Sequence, residues 1–344
     1  MSPQFVDFDH DGHLDIVAGT FSGSPYRALG NGSGFAQPEM ILDRDGERIV
    51  LNQFWNYDSK KWDETDRCDP VGGAPAMGHG TSAWAMDWDR DGDLDLLLGD
   101  YHSGYLYLRC NEGTAVAPAF AKQNVLVEAG GQPIQVGKTA TMRLVDYDGD
   151  GRQDLLLGSM GDSYGDGEGG GVFVYPAIAG DATRFGARIT LIEPSRKGHT
   201  EVTRPDAGLY IDMADCDGDG DLDLIVGGYS MWTQVGHELS AAEKARVAEL
   251  EAAIAVVDAE TQTLGDALNK ATDGIENEEE VNRIFKKVFA EQQEQRQKLS
   301  QQRRPLHEEL RTLVPGKERK TYVWLYENVT AAAGGAGGSE PGGQ

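Results

Sequence analysis

One nine-residue acidic motif occurs four times in the chain and restricts what this sequence can fold into. Each copy reads D-x-D-x-D-G-x-x-D and runs directly into a short apolar stretch that ends in glycine. The copies, here called acidic loops 1 to 4, cover residues 7–15, 87–95, 146–154 and 215–223. An aspartate-rich turn followed by an apolar strand predicts a β-hairpin, and its recurrence predicts a repeat protein built from such units.

The spacing of the carboxylates within each loop predicts a metal site. Aspartates at positions 1, 3, 5 and 9 around a glycine turn converge on one point, which suits a hard cation that takes oxygen ligands in flexible geometry. Calcium is the natural candidate, with about four sites in the chain. Position 7 is expected to supply its backbone carbonyl, so its side chain is free to vary. The predicted ligands are Asp7, Asp9, Asp11, His13 and Asp15; Asp87, Asp89, Asp91, Asp93 and Asp95; Asp146, Asp148, Asp150, Arg152 and Asp154; and Asp215, Asp217, Asp219, Asp221 and Asp223.

The acidic loops differ from an EF-hand at the position that closes the metal shell. An EF-hand closes with a bidentate glutamate at position 12, on the helix that follows. Position 12 of these loops lies inside the apolar run, so the loops are expected to join two strands, and position 9 must complete the shell. The alternative is that Asp-Gly-rich hairpins are simply turns, but four copies with the same spacing favour the metal. The residues at position 12 are Ala18, Leu98, Leu157 and Val226.

Charge and cysteine content argue against two classes of protein. The formal net charge is −26 over 344 residues, whereas nucleic-acid binding requires a basic surface. Three cysteines are an odd and sparse set, unlike a disulfide framework. Cys216 stands at position 2 of acidic loop 4, where the other loops have aromatic residues, and is expected to be a small buried hydrophobe. No apolar run is long enough to cross a bilayer.

The calcium loops predict a location outside the cytoplasm, either secreted, periplasmic or at the cell surface. Low-affinity calcium modules belong where the ion is millimolar. The first strand, at Phe5 and Val6, follows Met1 almost directly, and no signal peptide precedes it. An export signal is therefore expected to have been removed or to lie upstream.

Each acidic loop is the centre of a predicted unit of four short antiparallel strands. A first strand precedes the loop, as at 82–86 and 209–213, and the apolar run after the loop is the second strand. A third strand has period-two alternation, and a fourth is marked by a phenylalanine seven residues before an apolar position. Four strands per repeat is the pattern of a propeller blade. The third strands are 26–29, 105–108 and 172–175, and the marker pairs are Phe35 and Leu42, Phe120 and Val127, and Phe185 and Ile192.

The motif and the strand that follows it resemble the FG-GAP/VCBS repeat family. Its members are calcium-binding β-propellers whose blades are similar to those of the integrin α-subunit head, and the resemblance covers residues 1–237 and 321–330. It implies an all-β propeller of four four-stranded repeats, with the aspartates above as ligands. The last repeat is incomplete, because the chain becomes a low-complexity tail at 331–344 that is predicted to be disordered. Propellers of this family commonly have seven blades, so a small ring, an open array or a ring completed by a partner are all open alternatives.

Residues 238–320 interrupt the repeats and are predicted to form an antiparallel coiled-coil hairpin of two α-helices. Residues 240–243 form a capping box, and apolar residues then recur at alternating steps of three and four. A break at 272–274 precedes the second helix, which Pro305 is expected to kink or interrupt. The hairpin is either an inert spacer or an arm that also pairs with another chain. The predicted seam residues are Val247, Leu250, Ile254, Val257, Thr261, Leu264 and Leu268, then Val281, Ile284, Phe285, Val288, Leu299, Leu306 and Leu310.

The connections at the face opposite the acidic loops are long, and this face is expected to carry a glycan or protein ligand. The long connections are residues 43–80, 159–171 and 193–207. Segment 43–80 sets aromatic rings beside polar groups, which suits carbohydrate; alternatively, its rings pack the segment onto the repeats. The glycine-rich stretch 161–168 is either a loop tip or a further metal loop. The candidate ligand-binding residues are Trp55, Tyr57, Asp58, Trp62, Arg67, Asp69 and His79.

Three functions from different classes are compatible with this sequence. The favoured one is a non-catalytic, calcium-stabilised propeller module for ligand recognition or adhesion. The second is a polysaccharide-active enzyme, for which several polar residues of the long connections would have to converge near a central channel, although no Ser-His-Asp or His-Glu-x-x-His signature is present. The third is an assembly subunit that uses the coiled-coil arm. The residues that the enzyme hypothesis requires are Asp58, Asp69, His79, Arg204 and Asp206.

Overall fold

A computed structural model gives the architecture of most of the chain. Two stretches singled out in the sequence, the predicted disordered tail at 331–344 and the centre of the glycine-rich stretch at 162–167, lie outside the described residues. The structure describes residues 3–70, 78–138, 140–161, 168–180, 185–195, 198–273, 275 and 278–329.

Repeats one and two each contain a four-stranded antiparallel sheet, and an additional hairpin lies between them in the chain. Each sheet follows the chain order, so that every strand pairs with the strand before it. Repeat one contains β1 (Gln4–Val6), β2 (Asp15–Gly19), β3 (Pro25–Ala28) and β4 (Glu39–Met40). The hairpin is β5 (Gln53–Asn56) and β6 (Lys61–Glu64), and repeat two contains β7 (Gly80–Met86), β8 (Asp95–Asp100), β9 (Leu106–Arg109) and β10 (Val125–Leu126).

Repeats three and four continue the pattern after a second short hairpin, and repeat four has three strands. The hairpin is β11 (Glu128–Ala129) and β12 (Gln132–Pro133). Repeat three contains β13 (Ala140–Val145), β14 (Asp154–Ser159), β15 (Val172–Tyr175) and β16 (Ile189–Ile192). Repeat four contains β17 (Ala207–Ala214), β18 (Asp223–Thr233) and β19 (Lys317–Tyr326), with α1 (Ala241–Thr272) and α2 (Glu278–Leu313) inserted before β19. The described residues thus form a mostly β protein with six sheets and two helices, and the expected strand order is found.

Hydrophobic residues on both faces of the middle sheets hold consecutive repeats together. In β8 every residue is buried, and the alternation of side chains sends Leu96 and Leu98 towards repeat one and Leu97 towards repeat three. In β14, Leu155 and Leu157 join the cluster shared with repeat two, whereas Leu156 joins the cluster shared with repeat four. Three clusters therefore connect repeats one and two, two and three, and three and four, and none of those found in the described residues joins repeat four to repeat one.

The aromatic residue at position 2 of acidic loops 1 to 3 packs towards the next repeat. Phe8, Trp88 and Tyr147 belong to the clusters that join their own repeat to the one that follows. Cys216 holds this position in repeat four and is exposed, so the expectation that it is buried was wrong. The physical reason is that Cys216 belongs to none of the three clusters that the described residues form between repeats, so no neighbouring repeat covers its side chain.

Segment 43–80 is attached to repeat two by a buried polar network. The guanidinium of Arg109 is fully buried and donates to the side-chain oxygen of Asn124 and to the carbonyl of Val50 at 3.2 Å. The amide of Asn124 donates in turn to the carbonyls of Val50 and Cys68, at 3.1 and 2.7 Å. Burying these polar groups is tolerated because each is hydrogen-bonded.

The chain divides into two compact units, and the smaller one contains the two helices. It comprises residues 199–201 and 232–318. Ser240 caps α1 through the expected capping box with Glu243, and α1 ends at Thr272, within the predicted break. The helices run antiparallel, as the ion pairs of Arg246 with Glu309 and of Asp258 with Arg303 indicate. Buried seam residues are Leu250, Ile254, Val257, Leu264 and Leu268 on α1 and Leu299 on α2.

The second helix departs from the expectations at two residues. The helix α2 continues through Pro305, so the proline does not interrupt it, because a proline removes only one backbone donor; a kink at Pro305 stays a prediction. Phe285 lies outside the seam, is 45% exposed, and stacks on Phe289 with ring centroids 5.9 Å apart.

The two helices are also joined by a polar contact, because the side-chain amide of Gln292 on α2 donates to the carbonyl of Leu264 on α1 at 3.1 Å. Neither described helix combines the length and apolar character needed to cross a bilayer.

Candidate functional site

The four acidic loops share one backbone conformation. In each repeat the loop begins directly after the first strand, and its position 9 is the first residue of the second strand. Position 6 is a glycine with φ between 83° and 95°, a region that favours glycine because it has no Cβ. Position 4 is also left-handed, although it is glycine in only two loops. His10 and Arg90 adopt φ values of 57° and 67° there, at a cost of roughly 1–2 kcal/mol each.

Backbone N–H groups orient the carboxylates at positions 1, 3 and 5 in the same way in every loop. The position 1 carboxylate accepts a hydrogen bond from the glycine at position 6, as in Asp146 from Gly151 at 2.9 Å. The position 3 carboxylate accepts from the N–H of position 5, and the position 5 carboxylate accepts from the N–H of position 7. These contacts bend the loop back on its own side chains, so the aspartates face one point.

The converging oxygens fit a hard cation. In each loop, three carboxylates offer oxygens that lie within 4.8 Å of one another. Oxygens bound to one calcium ion at about 2.4 Å can be separated by up to roughly twice that distance, so the spacing is compatible. Four of the carboxylate oxygens in these loops are buried and have no hydrogen-bond partner, which is costly unless a cation neutralises them. They are an Oδ1 atom in each of Asp87, Asp93, Asp146 and Asp221. The three-carboxylate groups are Asp7, Asp9 and Asp15; Asp87, Asp89 and Asp91; Asp146, Asp148 and Asp154; and Asp215, Asp217 and Asp219.

The aspartate at position 9 also has a structural role that the sequence did not reveal. In repeat two, Asp95 accepts from the N–H of Trp88 at 3.0 Å with one oxygen and from the N–H of Asn111 at 2.6 Å with the other. The same pair of bonds recurs in all four repeats, and it ties the start of the loop to the end of the third strand. Burial raises the pKa of Asp95 to about 6, partly offset by these two backbone bonds. The other donors beyond the third strand are Gly30, Ala177 and Asn328, which bond Asp15, Asp154 and Asp223.

Position 7 is where the side chains of the four loops differ most in charge. Asp93 in loop 2 is 4% exposed, and burial together with the charges of Asp91, Asp89 and Asp87 raises its pKa. In loop 3 the guanidinium of Arg152 forms an ion pair with Asp150, so this position supplies a positive charge.

A cluster of aromatic and imidazole rings lies at the opposite ends of the same strands. β2 runs from its acidic loop towards Phe21, and β8 runs from its loop towards Tyr101 and His102. His79 lies between Trp62 and Tyr101, with ring centroids 4.5 and 5.0 Å away. The cluster, called the ring cluster below, consists of Phe21, Trp55, Trp62, His79, Tyr101 and His102.

The ring cluster holds a buried histidine with no hydrogen-bond partner. His79 is 3% exposed, and neither of its ring nitrogens is bonded in the described structure. Burial, and then the charge of His102, lowers the pKa of His79 to about 4, so the imidazole is neutral near pH 7. The ring centroid of Phe21 lies 5.3 Å from that of His79. Phe21 is 56% exposed, so the ring cluster has an open apolar side.

The structure brings together three of the seven candidate ligand-binding residues, Trp55, Trp62 and His79. Tyr57 and Asp58 lie at the exposed turn between β5 and β6. Arg67 donates to the carboxylate of Asp43 at 2.8 Å and to a backbone carbonyl, which holds segment 43–80 in shape.

Asp69 and the two further polar residues of the enzyme hypothesis, Arg204 and Asp206, form hydrogen bonds to backbone carbonyls. Asp69 donates its N–H to the carbonyl of Asp66 at 3.1 Å. The guanidinium of Arg204 donates to the carbonyls of Pro205 and Glu193. Asp206 is buried and donates its N–H to the carbonyl of Tyr229.

Comparison with known proteins identifies part of this architecture. Residues 87–157, which span acidic loops 2 and 3 and the strands between them, match the FG-GAP-like repeat family. The expected resemblance is therefore confirmed over this stretch. A search of curated proteins finds no match to the chain.

Replacing a position 9 aspartate should destabilise the protein even without metal. Asp154→Ala leaves the N–H groups of Tyr147 and Ala177 without their acceptors, so we expect the free energy of unfolding to fall by roughly 2–4 kcal/mol. Asp148→Ala, at the exposed position 3 of the same loop, is the matched control and should change it by less than about 0.5 kcal/mol. Urea denaturation in excess chelator measures both. Equal losses would contradict the structural role of position 9.

The buried imidazole should make the protein sensitive to acid. The unfolded chain protonates His79 near pH 6.5, whereas the folded chain does so only near pH 4. The unfolded state therefore binds more protons between these values, and stability should fall by roughly 2 kcal/mol from pH 7 to pH 5. His79→Phe keeps a ring in the cluster and removes the titration. Denaturation at several pH values in saturating calcium should show that the variant loses less stability; parallel curves for the two proteins would refute this.

Proposed function

We propose that the protein is a calcium-binding, non-catalytic β-propeller module that recognises a ligand outside the cytoplasm. The observation that carries the metal part is the repetition of one loop geometry in four places, with converging carboxylates and buried oxygens that have no partner. The match of residues 87–157 to the FG-GAP-like repeat family supports the propeller-type architecture. Sheets that follow one another in the chain and pack face to face are what a propeller requires.

The proposed calcium ions supply positive charge where several aspartates meet. The residues that would hold them are the carboxylates at positions 1, 3, 5 and 9 and the backbone carbonyl at position 7, as the sequence predicts. The chain's own contribution is to orient these groups: backbone N–H groups fix the carboxylates, and the glycine at position 6 allows the turn. Since metal binding and folding are linked, the hairpin between the first and second strand of each repeat should depend on the ion.

The ring cluster is the proposed ligand-binding surface. It lies at the strand ends away from the acidic loops, and its open side exposes Phe21 above Trp62 and His79. Aromatic faces stack on the apolar faces of sugars or on side chains, and a neutral imidazole can donate or accept a hydrogen bond. A glycan or a protein ligand is therefore the partner class that this surface fits.

The helical pair supports a second proposed role, in assembly. Its buried seam and cross-helix ion pairs support the proposal of an antiparallel coiled-coil arm. Phe285 and Phe289 are each 45% exposed and stack on each other outside that seam. Together these two rings form an exposed apolar surface on the helix, which we propose as the contact through which the arm pairs with another chain.

Calcium removal should destabilise the protein strongly. We expect calorimetry to detect about four calcium ions per chain, and excess chelator to lower the melting temperature by many degrees, because like charges in the loops lose their counter-ion. Asp87→Asn should remove one site and leave the others. An unchanged melting temperature in chelator, with no heat of calcium binding, would refute the proposal.

Ligand binding should depend on the ring cluster. A glycan array and a protein pull-down with the calcium-loaded chain identify the ligand, and titration calorimetry then compares variants. Trp62→Ala should weaken binding by about tenfold or more, since a buried aromatic contact is commonly worth over 1 kcal/mol. Trp324→Ala, a partly exposed tryptophan on β19, is the matched control. Equal affinities of both variants and the wild type would place the ligand elsewhere.

A further inference from the structure

We infer that Arg152 is a built-in counter-ion of acidic loop 3, which makes this loop the weakest of the four proposed calcium sites and the least dependent on calcium. The inference rests on the proposed calcium binding and concerns the differences among the loops. All four loops share their backbone conformation, so a difference in affinity has to come from side chains. Position 7 is the position at which the loops differ most in charge.

The contacts of Arg152 place its positive charge among the carboxylates. Its guanidinium pairs with Asp150, the position 5 carboxylate of the same loop. The Nε atom of Arg152 donates to the carbonyl of Ala177 at 3.1 Å, and the N–H of Ala177 donates to Asp154 at 2.7 Å. The guanidinium is therefore held from two sides. One of its partners, Asp150, is a proposed calcium ligand. The other, Ala177, donates the hydrogen bond that fixes the carboxylate of Asp154.

Loops 2 and 4 carry the opposite charge at this position. Asp93 is 4% exposed, and its Oδ1 atom is buried without a partner. The Oδ1 atom of Asp221 in loop 4 is likewise buried and without a partner. Loop 4 has five aspartates and no basic residue, whereas loop 3 has four aspartates and Arg152. A calcium ion entering loop 3 would have to displace or face a positive charge, which loop 4 lacks.

Loop 1 is intermediate in charge between loops 4 and 3. His13 holds position 7 of loop 1, and its imidazole lies against Gly32, where an added Cβ would be 3.0 Å from the ring. Its side chain thus covers a neighbouring turn and adds no carboxylate. The number and charge of the ligands tune calcium affinity in loops of this kind. We therefore expect the affinity for calcium to be highest in loop 4, lower in loop 1 and lowest in loop 3.

Calcium titration of the full chain, with calcium alone as the probe, tests this inference. Arg152→Gln should strengthen the weakest class of site by roughly two- to fivefold, the range that a partly exposed ion pair represents. Arg152→Asp, which gives loop 3 the aspartate that loops 2 and 4 have at position 7, should strengthen calcium binding at this site by on the order of tenfold. Arg152→Lys keeps the charge and should leave the affinity near that of the wild type.

Thermal unfolding provides a second readout, in which the sign of the change is diagnostic. In excess chelator Arg152→Gln should melt below the wild type, because Asp150 loses its counter-ion; in saturating calcium this deficit should shrink or reverse. Arg304→Gln removes an arginine that pairs with Glu308 on the surface of α2, and this matched control should affect neither calcium affinity nor its dependence on the ion.

The outcomes separate this inference from the proposed function. If the wild type binds no calcium, the proposed function fails and the inference with it. If the wild type binds calcium and Arg152→Gln leaves the weakest site unchanged or weaker, only the inference is overturned. A stability deficit of Arg152→Gln that is equal with and without calcium would also overturn it, because the arginine would then be a structural residue alone.

Discussion

Repulsion among clustered aspartates is the constraint on which the rest of this structure depends. Each acidic loop places three carboxylates within 4.8 Å of one another at the start of a hairpin. Backbone N–H groups offset part of this repulsion, and the proposed calcium ions would offset what is left. With that proposal, the first hairpin of every repeat would depend on the ionic environment. Position 7 would set the strength of this dependence, because Asp93 adds negative charge to loop 2 whereas the guanidinium of Arg152 offsets negative charge in loop 3.

Position 9 connects this electrostatic constraint to the packing of the repeats. Its buried carboxylate joins the start of the loop to a residue beyond the third strand. One side chain therefore helps to align the first three strands of each repeat. In the middle repeats the second strand is buried along its whole length, and its alternating leucines contact the repeats on both sides. A displaced loop would therefore move a strand that two hydrophobic clusters share. The strands β2 and β8 lead from acidic loops 1 and 2 to Phe21, Tyr101 and His102, so these two loops also help to position the base of the proposed ligand surface.

The sequence predicted the loops more completely than the surface opposite them. The strand order, the loop boundaries and the capping box at Ser240 follow from local patterns that repeat or have fixed spacing. The hairpin of β5 and β6 and the exclusion of Arg67 from the ring cluster were not predicted, because both depend on contacts far apart in the chain. Phe21, Tyr101 and His102 were missed for the same reason. The short connections that carry them have no composition to mark them, and only folding brings them beside His79.

By itself, the sequence determined the repeat, the convergence of its carboxylates and the separate helical pair, because each of these depends on residues within a few positions of one another. The tertiary structure decided which aspartates also hold backbone groups, that Arg152 pairs with Asp150 of its own loop, and that Cys216 is exposed while Phe8, Trp88 and Tyr147 pack between repeats. The reason is that burial and pairing are properties of neighbouring elements. A side chain with the same local sequence context is buried where another repeat covers it and exposed where none does.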